Sequence, residues 1–367
     1  MNENALGKLY TLKLIQNDSE TLKQICQSIW NPVFSMCIIP YLALFCRSVQ
    51  ECLNVSIVSP EIETEIYDIR NGIKIFGEKY GKGRKRFLDS DEKQNEESRD
   101  MLRFEFTKSL NIHYNLGIYF DTYKHVVGNT QLLADMLNLN GLPKNEQADK
   151  SFNLAYNLGG MIGKVTGVFS ALAPIEPIHI NAELPDFYFA DLNTNTTSLF
   201  NPAFEKDTSL FMLHLLSNLG FVTYFLEPVV GSSNPWMLRI KYIMTYYSYL
   251  GLRRLKQHLE NNVQNGTELF INSAEQILTE GDGLFASKFR NCMMHYDLLH
   301  EGQFAISESN LNNELKLFGL VEECFNGHTY EEFYESISSL AHRIEECLVG
   351  QFDFQRVHIK KLSHERG

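Results

Sequence analysis

The sequence predicts an all-α protein whose C-terminal half is an antiparallel helical bundle. From residue 206 onwards, apolar residues recur at helical spacing in successive segments of roughly 15 to 28 residues separated by short connectors. The predicted helices in this half cover 208–226, 235–262, 267–278, 284–299 and 322–349. The first 200 residues are also mostly helical in pattern, so a helical fold class is predicted for the whole chain.

The N-terminal region, residues 1–200, has helical spacing without a motif that defines its role. Its predicted helices begin at Ser19 and at residue 32, and further ones cover 61–80, 101–127, 130–139 and 152–172. The polar stretch 81–100, a basic cluster followed by an acidic one, is predicted to be an exposed loop. Alternating residues at 178–183 and 187–191, set between prolines, predict a small β-hairpin insertion at 178–191.

Domain organisation follows from the change of pattern near residue 200. We place a boundary at 195–201, between the mostly helical N-terminal region and the helical bundle of residues 206–350. A basic tail follows at 351–367 and is expected to fray.

Composition is typical of a soluble cytoplasmic protein without a membrane span. The formal net charge of −12 over 367 residues argues against coating nucleic acid by bulk charge, although a local basic groove remains compatible with it. The seven cysteines are odd in number and never form a C-x-x-C pair, which indicates reduced, buried thiols. No signal-peptide block opens the chain, and the best transmembrane candidate, 210–230, is interrupted by polar residues and is interpreted as a core helix. No metal-ligand spacing and no cofactor motif are found, so neither a metal nor a cofactor is predicted.

Strong polar chemistry stands inside a clear apolar periodicity at 287–296. On a helical wheel of about 100° per residue, the apolar residues of this stretch and its flanks share one buried stripe. The stripe consists of Phe285, Phe289, Cys292, Tyr296 and Leu299. Asn291 and His295 lie one turn apart on one flank of the stripe, while Arg290 points to the far side. An arginine and a histidine on a core helix therefore need an explanation.

The pattern Arg290-Asn291-x-x-x-His295 resembles the R-x4-6-H signature of the HEPN superfamily, including the polar residue directly after the arginine. The resemblance covers about residues 206–350 and implies a small all-helical bundle. It also implies a metal-independent endoribonuclease that acts as a two-fold dimer in toxin, abortive-infection or CRISPR-associated systems. On this reading RNA is the substrate, a homodimer is expected, and an antitoxin or regulatory protein is a possible partner. A tyrosine found two residues after the histidine in many such toxins is here Asp297.

The chemistry of RNA cleavage suits these residue types. Without a metal, a base must take the 2′-hydroxyl proton, an acid must protonate the leaving 5′-oxygen, and a cation must stabilise the transition state. His295 suits either proton-transfer role, Arg290 suits the phosphate clamp, and Asn291 can orient the imidazole. Residues five apart on a helix lie roughly 140° apart around its axis, so Arg290 and His295 do not easily face one phosphate. A second copy of the helix across a two-fold axis would complete the site, which predicts a homodimer.

Other residues enter the hypothesis as weaker candidates. Arg253, Arg254 and Lys256 are predicted RNA contacts beside tyrosines on one long helix, and Lys288 in the motif stretch is a further predicted RNA contact. The segment from Lys108 to His113 shares the cation-x4-His spacing of the main motif and is a candidate for a degenerate second domain, although its apolar register differs. The alternative function is a non-catalytic helical module that binds RNA or a protein, in which Arg290 and His295 are structural.

Overall fold

A computed structural model describes residues 3–56, 58–102, 113–170, 178–262, 265–300 and 302–362. This part of the chain is predominantly helical with little strand, which confirms the all-α class. The helices are α1 (Glu3–Ser28), α2 (Pro32–Leu53), α3 (Pro60–Ile73), α4 (Tyr80–Asp100), α5 (Thr130–Met136), α6 (Lys144–Ser170), α7 (Lys206–Gly220), α8 (Glu227–Val230), α9 (Pro235–Asn261), α10 (Glu268–Glu280), α11 (Ser287–His295), α12 (Leu320–Cys324) and α13 (Tyr330–Val349). A π-helical segment, Phe221–Leu226, joins α7 to α8, and 3₁₀ turns cover Lys74–Gly77, Lys316–Gly319 and Phe354–Arg356.

A four-stranded antiparallel sheet lies among the helices. Its strands are β1 (Leu116–Phe120), β2 (Val126–Asn129), β3 (Tyr188–Leu192) and β6 (Lys360–Lys361), in the order β2-β1-β3-β6. A separate pair, β4 (Leu299–His300) and β5 (Gln303–Phe304), forms a short hairpin. The predicted hairpin at 178–191 is wrong, because 178–183 forms no strand and β3 pairs with the distant β1 instead. The tail at 351–367 does not simply fray either, since its residues Lys360 and Lys361 pair with β3.

The predicted helix at 101–127 is also wrong in its described part. Residues 116–120 and 126–129 form β1 and β2, and His113 lies in the loop before them. In this loop the imidazole Nε2 of His113 is 2.8 Å from Oδ1 of Asn95. Lys108, the other end of the proposed duplicate motif, lies outside the described residues. His113 is therefore not a helical residue.

The polar stretch 81–100, predicted to be a loop, is helix α4. Lysine, arginine and glutamate are good helix formers, and one narrow face of α4 is buried, with Phe87 at its centre. On the same face the carboxylate of Asp91 accepts hydrogen bonds from Asn115, Gln131 and Thr194. The charged remainder of the helix faces solvent, so few apolar residues suffice to hold it.

The C-terminal half contains a helical bundle around α9, which packs against α7, α10, α11 and α13. The predicted helix 284–299 is shorter, because Tyr296 adopts a left-handed φ of 57° that ends α11 at His295. The predicted helix 322–349 is divided into α12 and α13 around Gly327, whose φ is 88°. One hydrophobic cluster joins this bundle to the N-terminal region, so that α1 packs on α9 and α2 on α11.

Two helical segments are long and apolar enough to cross a membrane, Pro32–Leu53 and Lys206–Val230. Their most apolar windows are 72% and 94% buried inside the protein, respectively. Such burial also occurs in the core helices of soluble proteins.

All seven cysteines are free thiols. Cys37, Cys46 and Cys292 are buried, as predicted, whereas Cys26 is exposed on α1. The prediction of buried thiols therefore holds for the core helices and is wrong for Cys26.

A buried ion pair fixes α11 to the rest of the molecule. Nε of Arg239 on α9 donates to Oδ2 of Asp18 on α1 over 2.8 Å, and the Tyr296 hydroxyl donates to the same oxygen over 2.5 Å. Nη1 of Arg239 also donates to the carbonyl oxygens of Cys292 and Met293, at 3.1 and 2.6 Å. Arg239 and Asp18 are 2% and 1% exposed, so almost all of their compensation comes from protein groups.

Replacing Asp18 with alanine should lower the free energy of unfolding by about 3 to 5 kcal/mol, because the Arg239 charge would stay buried without its carboxylate. Urea unfolding followed by circular dichroism measures this change. The matched control is Arg356→Ala, which breaks an exposed pair with Asp353 and should change stability by less than about 1 kcal/mol. A loss as small as the control's from Asp18→Ala would show that the buried pair is not needed.

Candidate functional site

The carboxyl end of α11 is held by side chains from two other helices. The Ser48 hydroxyl on α2 donates to the Met294 carbonyl over 2.9 Å. Arg239 on α9 donates to the two preceding carbonyls, those of Cys292 and Met293. The last carbonyls of a helix have no partner within the helix, so these bonds satisfy groups that would otherwise need water. The end of α11, and with it His295, therefore has a fixed position beside α2 and α3.

His295 emerges from this helix end against charged side chains of α2 and α3. Its Nδ1 lies 3.2 Å from Nη2 of Arg70 and 3.7 Å from Oε2 of Glu51. Oε1 of Glu51 accepts from Nη1 of Arg70 at 2.5 Å and from Nε of Arg47 at 2.9 Å. The imidazole remains 44% exposed, whereas the Arg70 side chain is only 6% exposed. A half-exposed imidazole thus lies against a largely buried guanidinium and a partly exposed carboxylate.

The contact with Arg70 sets the protonation of His295. A guanidinium only donates hydrogen bonds, so Nδ1 of His295 must accept and the proton of the neutral ring lies on Nε2. Burial lowers the pKa of His295 first, and the Arg70 and Lys74 charges lower it further, against the opposing effect of Glu51. The histidine is therefore held neutral at pH values where a free histidine is already partly charged.

Arg290 lies in a different environment from His295. Its Nη1 donates to the Tyr246 hydroxyl over 3.1 Å, and its Nη2 donates to Oδ1 of Asn291 over 3.1 Å. The amide oxygen of Asn291 therefore accepts a hydrogen bond from Arg290. The expected hydrogen bond between Asn291 and His295 is not present among the described residues. The helical wheel predicts that Arg290 and His295 of one helix do not face the same phosphate, and their different partners agree with this prediction.

Two tyrosines of α9 connect the surroundings of Arg290 and His295. Tyr246, which binds Arg290, has its ring centre 5.5 Å from that of Tyr247, and the Tyr247 hydroxyl donates to Sδ of Met294 over 3.7 Å. Burial raises the pKa of Tyr247, while the charges of Arg70 and Arg290 lower it. Both arginines thus act on the same phenol, and the two parts of the motif belong to one neighbourhood.

The four predicted RNA contacts differ in how their charge is compensated. Lys288 pairs with Glu323 at 2.8 Å, and Lys256 pairs with Glu275 at 2.6 Å and with Glu260 at 3.0 Å. Although burial raises it, hydrogen bonds from Lys288 and from two neighbouring residues bring the pKa of Glu323 to about 2. These two lysines are therefore neutralised by carboxylates.

The other two predicted RNA contacts, Arg253 and Arg254 on α9, have no such partners. Arg253 is exposed, stacks over Tyr249 at 4.8 Å and donates to its hydroxyl over 2.8 Å. Arg254 lies beside it at the edge of a groove between α9 and α4. Neither arginine pairs with a carboxylate within the described residues.

Sequence reasoning missed Arg70, Glu51 and Lys74 as companions of His295. A signal for Arg70 was present, because it continues the apolar stripe of Ile66 and Ile73 at helical spacing. Which histidine it would meet depends on the packing of α3 against α2 and α11, which no local pattern encodes.

Compared with protein-family models, curated proteins and solved structures, the chain finds no match. Among the described residues, no group of three or more histidine, cysteine, aspartate or glutamate side chains is arranged to hold a metal ion. The interpretation of the site therefore depends on its own geometry and on the HEPN-like motif.

Replacing Arg70 with glutamine should raise the pKa of His295, because a positive charge 3.2 Å from the imidazole disfavours the imidazolium. Replacing Glu51 with glutamine should lower the same pKa further, because the opposing carboxylate is lost. Titration of the imidazole by NMR measures both shifts. Lys288→Gln is the control for a charge change on α11 and should leave the pKa unchanged, and shifts of the same sign in the two site variants would contradict this electrostatic account.

Proposed function

We propose that the chain is a metal-independent endoribonuclease of HEPN type, with His295 as its acid–base residue. The observation that supports this is a half-exposed imidazole whose Nδ1 accepts from the Arg70 guanidinium over 3.2 Å, with a carboxylate oxygen of Glu51 3.7 Å from the same nitrogen. Its other nitrogen, Nε2, has no hydrogen-bond partner within the described residues and is free to meet a substrate. A cation is thus in place beside a group that can move a proton near neutral pH.

The reaction is a transesterification. The 2′-oxygen of a ribose attacks the adjacent phosphorus, its proton passes to a base, and the bond from phosphorus to the 5′-oxygen breaks as that oxygen takes up a proton. The products are a 2′,3′-cyclic phosphate and a free 5′-hydroxyl. Cation donors stabilise the charge that builds on the phosphorane oxygens, and Arg70 is the closest such donor to His295.

The contact between Arg70 and Nδ1 has a mechanistic consequence. With Nδ1 accepting from Arg70, the exposed Nε2 carries the proton and cannot act as a base. We propose that a substrate phosphate draws Arg70 away from the ring, so that the exposed Nε2 releases its proton to water while Nδ1 takes one up and directs it toward Glu51, 3.7 Å distant. Nε2 then has a free lone pair for the 2′-hydroxyl proton, which the imidazolium passes on to the leaving 5′-oxygen, and Arg70 binds the phosphate.

Arg290 and Asn291 have a second role in this proposal. Their hydrogen bonds to each other and to Tyr246 place a cation next to the tyrosine pair, where it can bind a neighbouring phosphate or the site of a second copy. The homodimer predicted from the HEPN resemblance is retained here as a proposal, although Arg70 already supplies a cation at His295 within one chain. From the resemblance alone, we also propose a toxin or anti-phage role in the cytoplasm, with an antitoxin or regulatory protein as a partner.

A specific observation favours the alternative of a non-catalytic module. Every polar side chain of the motif is engaged in the resting structure: Arg290 with Tyr246 and Asn291, and His295 with Arg70. Such bonds also hold α11 against α9 and α3 without any catalytic role. In that case His295 contributes to stability and the protein binds RNA or another protein without cutting it.

Purified protein should cleave single-stranded RNA in EDTA and leave 2′,3′-cyclic phosphate ends. His295→Ala should lower the cleavage rate by about 100-fold or more, because an acid–base residue contributes a factor of that size. Cleavage by the wild type is followed on gels, and the end groups are identified by mass spectrometry.

The control is His358→Ala, which changes an exposed histidine near the C-terminus and should leave the rate unchanged. Melting temperatures of all three proteins separate the two functions. A wild type that cuts no RNA, with a His295→Ala variant that melts at a clearly lower temperature, would support the non-catalytic module, whereas full cleavage by a folded His295→Ala protein would exclude His295 as the acid–base residue.

A further inference from the structure

A basic groove lies between the start of α4 and the second half of α9. It encloses about 520 Å³ and is lined on the α4 side by Lys79 and Arg84 and on the α9 side by Arg253, Arg254 and His258. None of the described residues that line it is acidic. In a chain with a net charge of −12, a groove of this composition is a local exception.

The cations of the groove are unequal in their availability. Arg84 pairs with Asp207 at 2.5 Å and with Glu205 at 3.4 Å, so its charge is compensated from outside the groove. Lys79, Arg253 and Arg254 have no carboxylate partner within the described part of the chain, and Lys79 is exposed. Arg253 donates to the Tyr249 hydroxyl over 2.8 Å. Lys79 and Arg254, one from each wall, are therefore the cations chosen for an anion lying between them.

The groove also offers a planar ring. The imidazole of His258 packs on the ring of Tyr80, with 4.6 Å between ring centres and an angle of 33° between the planes. His258 also lines the groove, with Nη1 of Arg84 3.3 Å from its Nε2, and its ring is a surface on which a nucleobase can stack. Cations at two walls with a ring between them match a nucleic-acid strand, whose phosphates and bases alternate along its length.

The groove is connected to the His295 site along one face of α9. Residues 246, 247, 250, 253, 254, 257, 258 and 261 follow helical spacing on this face. Its first members are the tyrosines next to Arg290 and Met294, and its last members line the groove. The 3₁₀ turn Lys74–Gly77 packs on the same face, since a Cβ atom on Gly77 would lie 2.9 Å from the Tyr247 ring. This turn joins α3, with Arg70, to α4, with Lys79.

We propose that this groove binds single-stranded RNA on one side of the cleavage point, with Lys79 and Arg254 on its phosphates. This inference rests on the proposed function, because the strand's scissile phosphate would lie at His295. The eleven helical steps from Tyr247 to His258 span about 16 Å at about 1.5 Å per residue. At about 3.4 Å per stacked nucleotide, that distance holds about five nucleotides.

The test measures binding of a fluorescent 2′-O-methyl RNA 12-mer by anisotropy over a range of salt concentrations. This strand lacks the 2′-hydroxyl nucleophile, so its affinity is measured whether or not the protein cuts RNA. The double variant Lys79→Gln, Arg254→Gln should bind roughly tenfold more weakly, and its salt slope should fall by about 0.7 for each lost phosphate contact.

The matched control is Lys23→Gln, Lys316→Gln, which removes two positive charges from lysines paired with glutamates. It should bind like the wild type. Equal weakening by both double variants would assign the effect to bulk charge and overturn the groove, as would a wild type that does not bind the strand. Complete release of the strand by inorganic phosphate at an equal phosphate concentration would instead identify a small-anion site and overturn the strand assignment.

The outcomes separate the groove from the catalytic proposal. If the protein binds the strand through Lys79 and Arg254 but cuts no RNA, the groove proposal is supported and the endoribonuclease proposal is wrong. If the protein cuts RNA through His295 while the groove variants bind the strand normally, the endoribonuclease proposal is supported and the groove proposal is wrong.

Discussion

The buried guanidinium of Arg239 determines where the candidate site can form. A charge that is 2% exposed is tolerated only when protein groups replace the water it has lost. Asp18 supplies the countercharge, the carbonyls of Cys292 and Met293 accept two hydrogen bonds, and the Tyr296 ring lies 3.8 Å from the guanidinium. One side chain thereby connects α1, α9 and the end of α11. The N-terminal region and the bundle are consequently coupled at the point where the motif ends.

The position of His295 follows from this coupling. Because side chains of α9 and α2 occupy the last carbonyls of α11, the helix ends there and Tyr296 turns back into the core. His295, the last residue of α11 before that turn, therefore faces α2 and α3. The helical wheel places His295 on the flank of a core helix. In the structure its imidazole is half exposed and lies next to the charged side chains of Arg70 and Glu51. The surroundings of the histidine are set by the termination of its helix as much as by its place on the wheel.

The elements predicted correctly are those whose own residues contain the signal. Helices α7, α9 and α10 follow the apolar periodicity of their segments, and Pro235 marks the start of α9. The sheet was not predictable in the same way, because β1 finds its partner β3 about 70 residues later and the pairing depends on long-range packing. Helix α4 was missed because its buried face is narrow and its main polar anchor, Asp91, is satisfied by distant residues. Composition alone describes such a helix as a loop.

For the site, the sequence indicates which residues are unusual but not which of them meet. Arg290, His295 and Arg70 are each polar residues on or beside an apolar stripe, so each is recognisable as an exception. The wheel angle correctly separates Arg290 from His295 and leads to the requirement for a cation from elsewhere. A second copy of the helix is one way to meet that requirement, and the packing of α3 provides another, since Arg70 lies 3.2 Å from the imidazole within one chain. The spacing of a motif fixes the residue types and their angles on one helix. Tertiary packing determines which side chains of other helices lie next to them. For this protein the cation nearest to His295 therefore lies outside the stretch that resembles the family motif.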